Sequence, residues 1–509
     1  MKQLFHNEDC TQFFYTRQIP EGKAGELIDR YVDVMAEAGV TSFLVNTQGR
    51  RTNYRSRAWE ALWDGYDPAG PDDQPFLKAV PKDDISRLRS GVGNMLAVHR
   101  QGVDYPARVI RRCRQRGMSP WITLRMNDCH CNDNMEHPFH GAFWKNNPQF
   151  YRKNATGYFA RCLDYAHREV RDYFMSIISE TLEMYDIDGL ELDFMREPYL
   201  FSAGREAEGA AILTGWLREV RGRAAAAAAK LGHPVRLGVR VPSRPETAAG
   251  MGLDAEAWAR EGLIDLLVPT PRWATLEFDM PVREWRKIAD ASNVTLAGGL
   301  EIGYRPYIDG RTWQIETDAS PELAAGAAMM ILSQGADAVY LFNYFQPGWG
   351  LPVYLETLNA MGSLESLKKI PRTIAITHRD IVAPGETYRP PLPAKGRKMA
   401  FQMNLGPVPD KTWNCSLLIG LEVSKDDSAP APDASVNGNP CKVLSDTKTH
   451  LGPVLVRVVT FSVPMAALAQ TEANSIKLAS RDAMTVNRVE VAFRPPDQAL
   501  PGDPESHAR

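Results

Sequence analysis

Carboxylates at alternating positions in an apolar run are the strongest chemical signal in this chain. In Ile187-Asp188-Gly189-Leu190-Glu191-Leu192-Asp193-Phe194, strand alternation puts Leu190, Leu192 and Phe194 on one face and Gly189, Glu191 and Asp193 on the other. Pro198 favours an extended Glu197, which continues the acidic line. Unpaired carboxylates are costly to bury, so the stack calls for cations or hydrogen-bond donors, with Arg240 or Arg125 the expected partner of Glu191. A second acid ends another such run. From Val294 to Glu301 the same alternation groups Thr295, Ala297, Gly299 and Glu301. Two carboxyls flanking one bond are what cleavage of a glycosidic bond requires, about 5 Å apart for retention and about 6.5–9.5 Å for inversion. Asp193 and Glu301 are the expected pair, with Glu197 a substitute general acid.

Groups able to orient a polyhydroxylated ligand lie at the ends of other apolar runs. In Arg125-Met126-Asn127-Asp128-Cys129-His130-Cys131, Arg125 and Asn127 share the inward parity of Thr123, and Asp128 and His130 open the following loop. Asn46, Arg240, Asn343 and Tyr344 complete the expected polar contacts. Six tryptophans (Trp59, Trp63, Trp144, Trp273, Trp313 and Trp349) fall in loops, where flat rings suit sugar C–H faces, and Trp273 and Trp349 are the chosen stacking residues. Arginines gather in the same loops, at 50, 51, 55, 57, 196, 244, 272 and 305. Were several unpaired, a uronate or sulfated sugar would be indicated. Cys129, His130, Cys131, His137 and His140 invite a zinc reading, but Cys-x-Cys with interleaved His lacks the usual ligand spacing, so no metal and no cofactor is expected.

Positioning these groups requires a regular scaffold. Eight apolar strand-like runs alternate with helical patterns over the first 360 residues: Gln3–Asn7, Thr41–Asn46, Trp121–Met126, Ile187–Phe194, Val235–Val241, Ile264–Val268, Val294–Glu301 and Ala338–Tyr344. Eight strand–helix units predict a (β/α)8 TIM barrel, α/β in class, over residues 1–365, with chemistry at the C-terminal ends of its strands. Gly39, Gly117, Gly232 and Gly335 stand where left-handed helix caps are expected. Two polar, aromatic loops, from Thr47 to about Tyr105 and from Asn127 to about Tyr165, leave that catalytic face. Beyond a proline-rich linker, 366–395, short alternating runs and the hairpin pair Asn437-Gly438 predict an accessory β-sandwich over 396–495, followed by a disordered tail, 496–509.

The fourth-strand pattern Asp188-Gly189-x-x-x-Asp193-Phe194 resembles that of several barrel glycoside hydrolases. The barrel region is similar to the bacterial glycosyl hydrolase-like 10 type, which implies a (β/α)8 glycoside hydrolase acting on a carbohydrate. A chitinase pattern would need Asp at 191 and Glu at 195, where this chain has Glu191 and Met195. The Asn-Glu pair of large retaining families is absent from this strand. A barrel amidohydrolase would want paired histidines, whereas His6 stands alone on the first strand. The remaining alternative is a carbohydrate-binding barrel without catalysis.

Composition excludes other classes. Lys+Arg 59 against Asp+Glu 62 gives a net charge of -3, so no global field draws the chain to nucleic acid or to an anionic membrane. No apolar run approaches the roughly 20 residues of a membrane span. Seven cysteines, an odd and sparse set, suggest reduced thiols, and the first fifteen residues lack a signal-peptide core. A cytoplasmic protein is expected, and a homo-oligomer is compatible with this composition.

Overall fold

The computed structural model describes residues 3–301, 303–307, 317–344, 350–423, 429–451, 454–470 and 472–498. Its first part is a closed (β/α)8 barrel. The strands are β1 (Leu4–Glu8), β2 (Ser42–Asn46), β3 (Ser119–Arg125), β4 (Gly189–Asp193), β5 (Arg236–Pro242), β6 (Leu266–Thr270) and β7 (Thr295–Leu300). A two-residue pair, β8 (Gly303–Tyr304) and β9 (Thr317–Asp318), precedes the closing strand β10 (Ala338–Phe342). The barrel order is β1-β10-β7-β6-β5-β4-β3-β2, and its neighbours pair in parallel. Parallel strands buried on both faces explain the near-continuous apolar runs.

Side-chain layers fill the barrel as its closure requires. Phe5, Leu44, Trp121, Leu266, Val268, Ala297, Ala338, Tyr340 and Phe342 form an apolar cluster separate from the main core. Trp121 lies so close over Gly189 that a Cβ there would meet the indole at 2.3 Å, which accounts for glycine at the base of β4. Above this floor comes a polar layer around Glu191, and above that the charged mouth. The expected glycine caps are present: Gly39, Gly117, Gly232 and Gly335 have φ of 77°, 72°, 78° and 100°. The long connection after β2 contains a 19-residue helix, Lys82–Arg100, whose buried Leu88, Val92, Met95 and Leu96 face the core.

The C-terminal region is an antiparallel sheet of sandwich type. Its strands are β11 (Arg372–Ala375), β12 (Ala394–Met403), β13 (Asn414–Glu422), β14 (Asp433–Val436), β15 (Asn439–Pro440), β16 (Lys442–Leu451), β17 (Val454–Ser462) and β18 (Asn474–Arg494). The 21-residue β18 organises it, pairing with β11, β12, β13 and β14. Asn437 and Gly438, both with positive φ, make the two-residue turn between β14 and β15. Strand β11 falls within the segment read as linker. It packs under the helix Pro321–Ser333, where Gly326 approaches the Thr373 carbonyl so closely that a Cβ would sit 1.9 Å from the oxygen. Glu322–Arg494 (2.8 Å) and the Tyr304 hydroxyl donating to Glu490 (2.5 Å) also join sheet and barrel. The tail from 499 lies outside the described residues.

Candidate functional site at the barrel mouth

The strand ends determine the site. Register aligns Arg125 of β3 with Asp193 of β4, and Asp193 with Arg240 of β5, so cation, anion and cation stand side by side. Arg240 is fully buried. One of its Nη atoms lies 2.9 Å from Asp193 and the other 3.5 Å from Glu301, placing a single guanidinium between the two acids. Its charge also rests on the Phe342 ring, 3.8 Å from the centroid. Asp193 and Glu301 are each 1% exposed. Burial pushes the Glu301 carboxyl well above the usual range, against the pull of Arg240 and Arg196.

Glu191, one layer deeper, has no arginine in direct contact among the described residues. It accepts hydrogen bonds from Thr123 (2.7 Å), Tyr340 (2.8 Å) and Asn7 (3.0 Å). Burial and the neighbouring Asp193 push it up to about 7, despite Arg240. Neutral donors thus take the place of the expected ion pair, because the layer below the mouth is built from inward residues of β1, β3 and β10. Glu197 is fully buried, and Arg272 clamps it through Nε (2.7 Å) and Nη2 (2.6 Å).

A second cluster lines an open cavity of about 320 Å³ beside β1–β3, whose walls include Asp9, Asn46, Arg125, Asp128 and His130. Arg125 bridges Asp9 (2.7 Å) and Asp128 (3.0 Å). Burial raises the Asp128 carboxyl, but His130, Arg125 and Arg196 outweigh it and hold the group well below its ordinary value. The other Asp128 oxygen meets His130 Nδ1 at 2.8 Å and accepts the His130 backbone N–H at 3.0 Å. The His130 side chain is 42% exposed.

Several residues expected to touch ligand have protein partners. The Asn127 amide donates to the Leu163 and Tyr199 carbonyls and accepts from Leu163 N–H, tying the loop after β3 in place. Asn343, at φ 49° just past the end of β10, leaves the strand and donates to Asp9 (2.8 Å) while accepting the Asp9 backbone N–H. It thus holds Asp9 at two points. Inward parity on β10 belongs to Tyr340 and Phe342. Tyr344 is buried and stacks on Tyr354. Asn46 donates to the Thr123 carbonyl and also faces the cavity.

The loop aromatics divide by burial. Trp59, Trp63 and Trp144 are buried against Tyr173, His99 and His140, so they anchor loops. Trp273 is half-buried with the Arg305 guanidinium over its ring at 4.7 Å, whereas Trp313 and Trp349 lie outside the described residues. Arg50, Arg51, Arg55, Arg57, Arg244 and Arg272 all engage acids, carbonyls or polar side chains. Arg196 differs. It is 4% exposed, stacks on Phe342 at 5.3 Å, and its Nε and Nη1 have no partner among the described residues. One unpaired arginine is less than the anionic-sugar expectation asked for.

Among the described residues no group of three or more His, Cys, Asp or Glu is arranged to hold a metal ion, and no helix is long and apolar enough to cross a membrane. His140 instead faces the Cys131 and Asn134 carbonyls, both at 3.0 Å, and Arg50. Sequence reasoning overlooked Asp9. Its signal was its position one residue past the first strand, the place Asp193 and Glu301 occupy on or just past theirs.

The fold and mouth define an α/β-barrel protein with a carboxylate-rich C-terminal face. No family model matches the chain, and no curated protein matches it. Among solved structures it is similar to the glycoside hydrolase domain of PgaB (BpsB) from Bordetella bronchiseptica, with 9% identity and a TM-score of 0.44, over 72% of this chain and 99% of that one. It is also similar to a maltogenic α-amylase from Thermotoga neapolitana, with 10% identity and a TM-score of 0.37, over 97% and 98%. A third is an α-L-fucosidase from Vibrio sp. strain EJY3, with 10% identity and a TM-score of 0.34, over 96% and 91%. At such scores the likeness adds nothing to the barrel's own strand order, and activity must be argued from the site.

Proposed function

We propose that this chain is a glycoside hydrolase whose bond-cleaving groups are Asp193 and Glu301, with the sugar held at the mouth beside Asp9 and Arg125. The observation that carries this reading is the single buried guanidinium of Arg240 between carboxyls from the ends of β4 and β7. It separates the acids by environment. Burial shifts the Glu301 carboxyl toward its protonated form, the form that can give a departing glycosidic oxygen its proton. Asp193, closer to Arg240, acts on the anomeric side of the bond, where positive charge develops. The cavity on the β1–β3 side of the mouth, lined by Asp9 and Arg125, is within the size range of small-ligand pockets.

Glu197, held by Arg272, keeps the segment after β4 in place. A panel of aryl glycosides and oligosaccharides, including uronates and sulfated sugars, tests the reading. Asp193→Asn and Glu301→Gln should each lower kcat by about 10²–10⁴-fold with the fold intact. Wild-type rates in both variants would show that these acids are structural. Binding of glycans without cleavage by the wild type would favour the non-catalytic binding protein.

A further inference from the structure

The glycoside-hydrolase reading leaves one group of the mouth without a task. His130 lines the 320 Å³ cavity with its side chain 42% exposed, while the Asp128 beneath it is only 6% exposed on its side chain. Asp128 is itself locked. One of its oxygens is fixed by Arg125, the other by the His130 backbone N–H and by Nδ1. With Nδ1 donating to a carboxylate, Nε2 carries the lone pair and looks away from Asp128, the arrangement that makes an imidazole a directed base.

Strand order supplies the second half of the argument. Around the ring β1-β10-β7-β6-β5-β4-β3-β2, three strands separate β3 from β7 in either direction, so the strand leading to His130 and the strand leading to Glu301 stand on opposite sides of the barrel. The two clusters also adjoin. Arg196 and Arg240 both rest on Phe342, and the Asn127 backbone N–H donates to the Arg196 carbonyl at 3.1 Å. A proton donor on one side of a sugar and a base on the other is the layout of single displacement, whose two groups must leave room for a water.

We propose that His130, oriented by Asp128, takes the proton from the water that displaces the leaving sugar, so that the reaction inverts the anomeric centre; this rests on the glycoside-hydrolase reading above. The water oxygen bonds to the anomeric carbon as the bond from that carbon to the leaving oxygen breaks. The electron pair goes to the leaving oxygen, which takes the Glu301 proton. The water proton passes to His130 Nε2, and exchange with solvent restores both groups. Asp193 stands beside the developing charge. Asp128 is a positioning residue, since it acts only through the ring. The charged and titratable groups that line the cavity with His130 are Asp9, Tyr15, Arg50, Arg51, Asp84, Arg87, Arg125, Asp128, Cys131 and His137.

The test uses the full chain and 4-nitrophenyl glycosides, with the anomer of the released sugar read by proton NMR. Inversion is expected. His130→Ala should lower kcat by about 10²–10⁴-fold with KM near wild type, and added azide should restore turnover as the glycosyl azide of inverted configuration. Asp128→Asn should reduce kcat with KM little changed, and His130→Gln, checked for an unchanged melting transition, should match His130→Ala. Retention of configuration overturns the proposal, as does a His130→Ala effect confined to KM. If the wild type cleaves none of these probes, the glycoside-hydrolase reading is what fails. Imidazole nitrogen NMR then decides on His130 alone. A neutral ring protonated at Nδ1, reversing in Asp128→Asn, supports a directed base, and a ring protonated at Nε2 in the native protein refutes it.

Discussion

Replacing Arg240 by Met removes the cation and keeps much of the side-chain volume. At an effective dielectric near 20, two unit charges about 3 Å apart attract by roughly 5 kcal/mol. The variant leaves Asp193 buried without its cation at the 2.9 Å contact, and Phe342 loses the charge over its ring. Stripping one partner from a buried pair costs about 3–5 kcal/mol, mostly because the other charge is stranded. Urea midpoints of wild type and Arg240→Met at pH 7 should therefore differ by that amount. Adding Asp193→Asn should recover part of the loss. Arg196→Met is the contrasting case: Nε and Nη1 have no hydrogen-bond partner among the described residues, so only the longer-range pull on Asp128 and Glu301 is lost and its stability should fall by much less than that of Arg240→Met. A loss in Arg240→Met that Asp193→Asn leaves untouched would refute the ion-pair account of the mouth.

Other outcomes follow from the same structure. Burial pushes Glu277 up to about 8 from an unfolded value near 4.5, so its contribution to stability is complete in acid and is lost as pH rises through 8. Glu277→Gln should flatten that decline by roughly 5 kcal/mol at most, read from urea midpoints across the range. Gly326→Ala would drive a methyl into the Thr373 carbonyl, and a drop in melting temperature of the full chain, with β11 amides exchanging faster by hydrogen–deuterium mass spectrometry, is the expected result.

The barrel was legible in the sequence because parallel strands buried on both faces leave unbroken apolar runs, and the inward parity of Glu191, Asp193 and Glu301 followed from period two. What those acids pair with was not legible, because partners come from strands far apart in the chain. Asp193 finds Arg240 across 47 residues, and Asp9 finds Arg125 across 116. Alternation also stops where a strand does. Asn343 carried the wrong parity for the mouth but reaches it through a positive φ, a turn that a period-two reading cannot anticipate. The helix Lys82–Arg100 was hidden for a local reason, since Gly91 and Gly93 and a high charge content obscure its apolar stripe. Gly91 is there because the Tyr15 ring would lie 2.3 Å from any Cβ.

The proline-rich stretch after residue 366 shows how function can reside where composition suggests a tether. Asp380 lies within it, and its carboxylate accepts the backbone N–H groups of Arg272, Trp273 and Ala274 at 3.2, 2.8 and 2.7 Å. Those three residues form the loop leaving β6. Arg272 is the residue that clamps Glu197, and Trp273 is the half-buried ring at the same face. Strand β11 begins eight residues before Asp380 and is held by β18, so the C-terminal sheet fixes the carboxylate that shapes the loop. The sheet thus contributes no acid to bond cleavage in the proposed mechanism, yet it acts on the barrel mouth through a chain of named contacts from β18 to β11, Asp380, Arg272 and Glu197.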